Sequence, residues 1–226
     1  MAQQYRAQRT RQELIRAAAE VFENAGFAEA SISAISSRAG VSNGALHFHF
    51  SNKRALGEAV ERAAAQTLLH ITGHVPLRHP TPLQLLVDTS QALARQLLDD
   101  PVLRAGFCLG SDGAWECGLN LWEQWHDWVQ LMLTVARDRG SLAADVEIED
   151  AVSTITAVVT GLQVLARTDP KWCSAGTVTG FWRLLLPQLS GDTAEQPSPD
   201  STAAAGSWPA DSPRGSWQMD ETCGAT

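Results

Sequence analysis

The chain is predicted to be all-α, with a small N-terminal head that carries a helix-turn-helix and a larger helical body behind it. Three observations predict this. Apolar residues recur at helical spacing in almost every segment, and no convincing alternating strand is found. Two short helical stretches are separated by the turn "AGVS" at 39–42, as a helix-turn-helix requires. A proline-punctuated stretch, "HVPLRHPTP", then interrupts the pattern at 74–82.

Residues 10–25 place Leu14, Ile15, Ala18, Ala19, Val21 and Phe22 on one broad stripe, and Asn24 and Gly26 end that first helix. Ser31 or Ser33 can cap a short second helix holding Ile32 and Ile35, which stops at Gly40. Ser42 is placed to cap a third helix running to about Phe48. Its Leu46 and Phe50, with Val41, are expected to pack against Leu14, Phe22 and Ile35. Ser51 is a plausible cap for a longer helix that ends near Gly73. Further helices are expected at 82–99, 101–109, 115–139, 148–168 and 174–189. Beyond Gly191 the composition turns to Ser, Pro, Ala, Gly and Asp, with too little apolar surface to offset ordering entropy. The expected organisation is therefore a head at 1–52, a body at 53–190 and a disordered tail at 191–226.

Formal net charge is −8, which taken alone argues against a nucleic-acid partner. The distribution reverses that reading. Residues 1–16 carry Arg6, Arg9, Arg11 and Arg16 against Glu13 alone, whereas the chain beyond residue 62 is strongly acidic. A basic patch on an acidic body orients encounter with a polyanion, although an ordinary solvated helix face has the same composition. The four cysteines form no CxxC pair and the N-terminus lacks the apolar core of a secretion signal, so a cytoplasmic setting is expected. No uninterrupted apolar run reaches the ~18 residues of a membrane helix, and no membrane partner is expected.

The stretch "GVSNGALHFHF" at 40–50 concentrates two histidines between phenylalanines. On a helix, His47 and His49 point about 200° apart and cannot chelate one ion. No Ser, Cys or acid stands where it would orient either histidine for catalysis. His70 and His74 alone have i, i+4 spacing, without a third ligand nearby. No catalytic residue, metal or cofactor is expected. The face opposite Leu46 and Phe50 instead presents Ser42, Asn43, Gly44, Ala45 and His47, small and neutral at the front. Such a face fits a major groove about 12 Å wide, where Gly44 lets backbone approach base edges and Asn43 reads them. Ser42 and His47 would touch phosphates at the rim, with Lys53 and the arginines Arg6, Arg9 and Arg11 at the flanks. Ser31 and Ser33 join this candidate set, and His49 either joins the phosphate contacts or stays within the protein.

Residues 9–60 resemble the N-terminal DNA-binding domain of the TetR family of bacterial transcriptional regulators. The resemblance lies in the Arg-Thr-Arg start, "AAAEVFENAGF", "ISAISSRAGVS", "GALHFHF" and "NKRAL". It implies a three-helix DNA-binding head on a helical ligand-binding and dimerisation domain, working as a homodimer that leaves operator DNA when a small molecule binds. Within the family, "RAQRTRQELIRAAAEVFENAGF", "GALHFHF" and "DPVLRAGF" are similar to the γ-butyrolactone receptors and their pseudo-receptor relatives, which control antibiotic production in actinomycetes. The inducer implied is a lactone or a polyketide-like antibiotic. Family members often carry Lys or Pro at the position of Asn43 and Tyr at that of His47.

Four tryptophans stand within "WECGLNLWEQWHDW" at 115–128, and Trp115, Trp122 and Trp125 fall near one stripe. Large rigid aromatics suit the wall of an apolar pocket, and equally a core or an interface. Trp125 stands where the butyrolactone-receptor relatives place a pocket tryptophan. Trp122, Cys108, Gln124 and Thr160 are its expected companions at the ligand site. The nearly uniform apolarity of 148–168 and 174–189 suits a dimer interface. Two other readings remain at this point: a small-molecule-binding enzyme that keeps the head as a structural cap, and an architectural DNA-binding protein that takes no ligand.

Overall fold

The computed structural model describes residues 2–73, 81–115, 118–191 and 197–200, with side chains from residue 4. Its helices are α1 (Ala2–Glu29), α2 (Ile32–Arg38), α3 (Asn43–His49), α4 (Lys53–Gly73), α5 (Pro82–Asp99), α6 (Pro101–Leu109), α7 (Leu121–Asp138), α8 (Ile148–Ala166) and α9 (Ala175–Leu189). A short 3-10 turn, Pro170–Cys173, precedes α9. Among the described residues the only strand-like pairing is an isolated bridge between Leu142 and Ser190, so the all-α expectation holds. The linker expected at 74–82 lies outside the described residues up to position 80.

Local chemistry sets most boundaries. The hydroxyl of Ser31 accepts the Ala34 amide at 3.1 Å, which selects it over Ser33 as the α2 cap. Ser42 does the same for α3, accepting from Ala45 at 3.1 Å. At α4 the cap is Asn52, whose Oδ1 accepts from Ala55 at 2.8 Å, and not the expected Ser51. Two adjacent residues of capping type compete there, and the start at Lys53 decides for the nearer one. α1 begins at Ala2, well before the expected residue 10, so the N-terminal arginines ride on helix. It breaks at Gly26, whose φ of 76° and ψ of 166° lie in a region open to glycine alone.

α7 departs further from expectation. It starts at Leu121, where Asn120 accepts the Trp122 amide at 3.0 Å, and the described residues 110–115 and 118–120 are not helical where helix was expected from 115. Asp112 organises a turn by accepting from Ala114 at 2.9 Å, and Gly118 takes a φ of 107° that no helix contains. Trp115 therefore leaves the tryptophan stripe.

Two buried clusters result. In the head, Leu14, Ala18, Phe22, Ile35, Leu46 and Phe50 pack together with Leu56 and Val60 of α4, and with Ala105 and Leu109 of α6. In the body, the second half of α4 joins α5 to α9 around Leu68, Leu86, Leu93, Phe107, Trp125, Leu133, Ile155 and Trp182. α4 thus belongs to both cores, and α6 lies tightly against it: a Cβ on Gly106 would fall 2.3 Å from the Cβ of Ala64.

Two further findings bear on the sequence expectations. Residues 197–200, within the stretch expected to be disordered, lie along α5. Ser198 donates to Gln84 Oε1 at 2.7 Å, Gln84 donates to the Asp200 carbonyl at 3.2 Å, and Gln91 donates to the Pro199 carbonyl at 3.1 Å. Buried side-chain amides hold there what apolar burial could not. The tail at 192–196 and 201–226 lies outside the described residues. Second, α8 is by length and composition apolar enough to cross a membrane, although Ser, Thr and Gln interrupt its run. Only 22% of that window is buried within the chain, which leaves an exposed apolar side.

Leu46 is fully buried beneath α3. Its replacement by Ala is expected to cost about 2–5 kcal/mol, as large-to-small core changes do. Urea unfolding with an unchanged m-value checks this.

Candidate nucleic-acid interface and ligand site

The geometry of α3 follows from its two faces. Leu46 and Phe50 anchor it, at 0% and 4% exposure. Ser42, Asn43, Gly44 and His47 are exposed on the other side, with Ala45 half-buried at the edge. Nothing in the fold requires glycine at 44: an added Cβ would meet only the Ser42 hydroxyl, at 3.9 Å. Glycine inside a helix costs roughly 0.5–1 kcal/mol relative to alanine, so its presence points to something outside the protein. No Asp, Glu, Lys or Arg stands between Ser42 and Phe48, and the helix N-terminus offers its first-turn amides.

The structure qualifies several candidates. The side-chain amide of Asn43 pairs with the Ser36 hydroxyl of α2, which ties the two arms of the helix-turn-helix. Ser31 and Ser33 are exposed at the start of α2, where Ser31 caps. Arg6 is exposed; Arg9 pairs with Glu13 at 2.9 Å; the guanidinium of Arg11 lies 5.0 Å over the Phe50 ring. His47 is exposed, whereas His49 is half-buried and meets Phe48 edge-on at 5.2 Å. Lys53 turns inward: its ammonium donates to the carbonyls of Phe27, Ala28 and Ala30 at 2.7–2.9 Å. All three of its donors are taken, leaving none for a phosphate. Sequence reasoning missed Phe48, a large apolar side chain 82% exposed on α3. Its lack of any place on the Leu46–Phe50 stripe was the available signal.

In the body, Trp125 is fully buried and stacks on Trp128 at 5.3 Å. Its indole N–H has no hydrogen-bond partner among the described residues, an exception among buried polar groups that asks for an acceptor. Each of the other expected ligand residues has partners of its own. Trp122 packs on Phe107 at 4.4 Å and donates to the Phe107 carbonyl and the Ser111 hydroxyl. Gln124 donates to the Leu119 carbonyl at 3.4 Å, and Thr160 donates to the Thr156 carbonyl at 2.8 Å. Cys108 receives Gln163 at 3.7 Å, and burial raises its thiol above the ordinary value, which keeps it protonated and unreactive at neutral pH. Cys117 lies outside the described residues. A narrow apolar cavity between α5, α8 and α9, lined by Ser90, Leu97, Val159, Leu162, Cys173 and Phe181, contains none of the expected ligand residues. The hydroxyls of Thr89 and Thr156 and the indole N–H of Trp182 are further unpartnered polar atoms in the body, which the sequence did not single out. Val164, Leu165 and Leu184 stand exposed on α8 and α9, Leu184 by 79%.

A capped helix with a slim outer face, set on a second short helix and carried on a helical body, defines a protein of the helix-turn-helix class. Comparison with known proteins gives the family. Residues 14–60 match the bacterial regulatory proteins of the tetR family. The chain is 33% identical over 191 residues to the A-factor receptor protein of Streptomyces griseus, covering 84% of this chain and 67% of that one. The crystal structure of a γ-butyrolactone receptor described as ArpA-like superposes with a TM-score of 0.72 at 26% identity, over 83% of this chain and 91% of the other. CprB of Streptomyces coelicolor, solved in complex with its biological operator sequence, superposes with a TM-score of 0.71 at 26% identity, over 83% and 91% of the two chains. The chain belongs to the TetR family of bacterial regulatory proteins. It is a DNA-binding regulator and not an enzyme.

Gly44→Ala separates folding from recognition. Thermal or urea unfolding should show a gain of roughly 0.5–1 kcal/mol. A mobility-shift titration should show operator affinity reduced by about tenfold, as for loss of a close base contact.

Proposed function

We infer that the chain is a homodimeric repressor that a small lactone or polyketide-like molecule releases from a near-palindromic operator. The observation that carries the reading is the outer face of α3. Its glycine has no structural reason, and its cap, underside and exposed Phe48 all serve to present it. Gly44 and Ala45 approach base edges, Asn43 reads them, and His47 with Ser42 contacts phosphate. Phe48 supplies apolar contact with sugar or thymine methyl, and Arg6, Arg9 and Arg11 add charge along α1. Two such helices related by a two-fold axis must meet successive major grooves about 34–36 Å apart, so head spacing sets affinity.

The exposed apolar sides of α8 and α9 support a dimer in which each covers its copy, since isolated faces of that kind are costly in water. Trp125 supports a buried ligand that offers a carbonyl oxygen to its indole N–H and apolar chain to the surrounding core. The similarity to an A-factor receptor and to γ-butyrolactone receptors favours a lactone carbonyl as that acceptor. Ligand binding releases the operator only if it prefers the body shape that misaligns the heads, and a thirtyfold preference corresponds to about 2 kcal/mol. Membership of the family supports action on DNA in the cytoplasm.

Selection of bound sequences from random duplexes, repeated with γ-butyrolactones and polyketides, tests the whole reading. A palindromic consensus that is lost on adding one of them is the expected result. No consensus, or binding indifferent to salt, would overturn it. Two variants test its parts. Leu184→Glu is expected to shift the sedimenting species from dimer to monomer and to lower operator affinity. Trp125→Phe should weaken the active inducer by about tenfold, read by calorimetry, while leaving operator binding intact.

A further inference from the structure

We propose that the loop between α6 and α7 is a latch that couples the body to the head, with Asp112 and Trp115 as its positioning residues; this rests on the ligand-responsive reading above. The loop reaches out of the body to the corner where α1 ends. Asp112 Oδ2 accepts the amide of Phe27 at 2.7 Å, one residue past the left-handed Gly26. Trp115 lies edge-on to the Phe27 ring at 4.6 Å and donates its indole N–H to Glu61 Oε1 at 3.2 Å. Its six-membered ring rests on α4 where Gly57 leaves room: a Cβ there would lie 2.4 Å from Cη2. From the opposite side, Lys53 lies 4.7 Å over the Phe27 ring and holds the carbonyls of the same corner. The corner that carries α2 and α3 is thus gripped both by α4 and by the loop.

The other end of the loop is rooted beside the candidate ligand site. Trp122, one turn before Trp125, donates to both the Phe107 carbonyl and the Ser111 hydroxyl. A shift of α7 at Trp125 therefore pulls on Ser111 and, through it, on Asp112 and Trp115. The latch is suited to opening. Glu61 is only 3% exposed, and its carboxylate loses hydration when Trp115 closes over it. That cost opposes the burial of the indole, which is the property an opening latch requires.

Gly57→Ala expels the Trp115 ring by steric contact while favouring helix in α4, and Trp115→Phe keeps a ring but removes the donor to Glu61. Operator affinity is measured by fluorescence anisotropy, with and without a synthetic 2-acyl-γ-butyrolactone, and lactone affinity separately by calorimetry. Wild type should lose at least about tenfold in operator affinity on adding lactone, whereas both variants should lose less than about threefold and still bind the lactone within threefold of wild type. Variants that respond as wild type does would overturn the latch. A second arm needs no lactone: exchange of the Phe27 amide and the Trp115 indole proton, followed by NMR in wild type, should change at least about tenfold when the selected operator duplex binds. Unchanged exchange also overturns it. Wild type that ignores the lactone refutes only the ligand class, and the exchange arm then decides the latch. Wild type that binds no selected duplex refutes the functional reading and the latch together.

Discussion

A seven-residue helix cannot persist in water by itself, because its few hydrogen bonds do not repay nucleation. α3 exists because Leu46 and Phe50 are buried under it, and they are buried because α1, α4 and α6 close a core around them. Everything exposed on its outer face depends on that underside. The surface that meets DNA can then be small, neutral and glycine-containing, since none of its stability has to come from the residues that do the reading. A recognition helix that supported itself through its outer side chains would have no freedom left for bases.

The same constraint ties head to body. A head of this size buries too little apolar surface to close its own core, so it takes Leu56 and Val60 from α4 and Ala105 and Leu109 from α6. Both helices continue into the body. Polar ties add direction to this shared packing: Arg104 pairs with Glu23 at 2.7 Å, and Arg167 at the end of α8 donates to the Glu23 carbonyl at 2.8 Å. The head cannot be completed without helices that also line the core of the body.

The body handles its apolar excess in two ways. Trp125 and Trp182 go fully inside, each with an indole N–H that no group among the described residues satisfies, while Val164, Leu165 and Leu184 remain outside. Unsatisfied donors within and uncovered apolar surface without are both costly in an isolated chain. The proposed ligand and the proposed dimer would relieve one cost each. The Gln84 and Gln91 amides on α5 are instead satisfied within the chain by residues 198–200.

Features that depend on neighbours in sequence were legible from the residues alone. The period of apolar positions, the cap at Ser42 and the anchoring pair Leu46 and Phe50 all act over one or two turns. The slim face of α3 was legible for the same reason, since helical period alone puts Asn43, Gly44 and His47 opposite that pair. Tertiary structure decided whatever depends on distant groups: the inward turn of Lys53 onto the α1 corner, the Trp115 loop that replaced the expected start of α7, and the docking of residues 197–200 on α5. A lysine reads as surface and a tryptophan-rich stretch reads as helix until something far along the chain offers three carbonyls or a buried carboxylate. Local periodicity says which way a side chain points from its own axis, and only packing says what is waiting there.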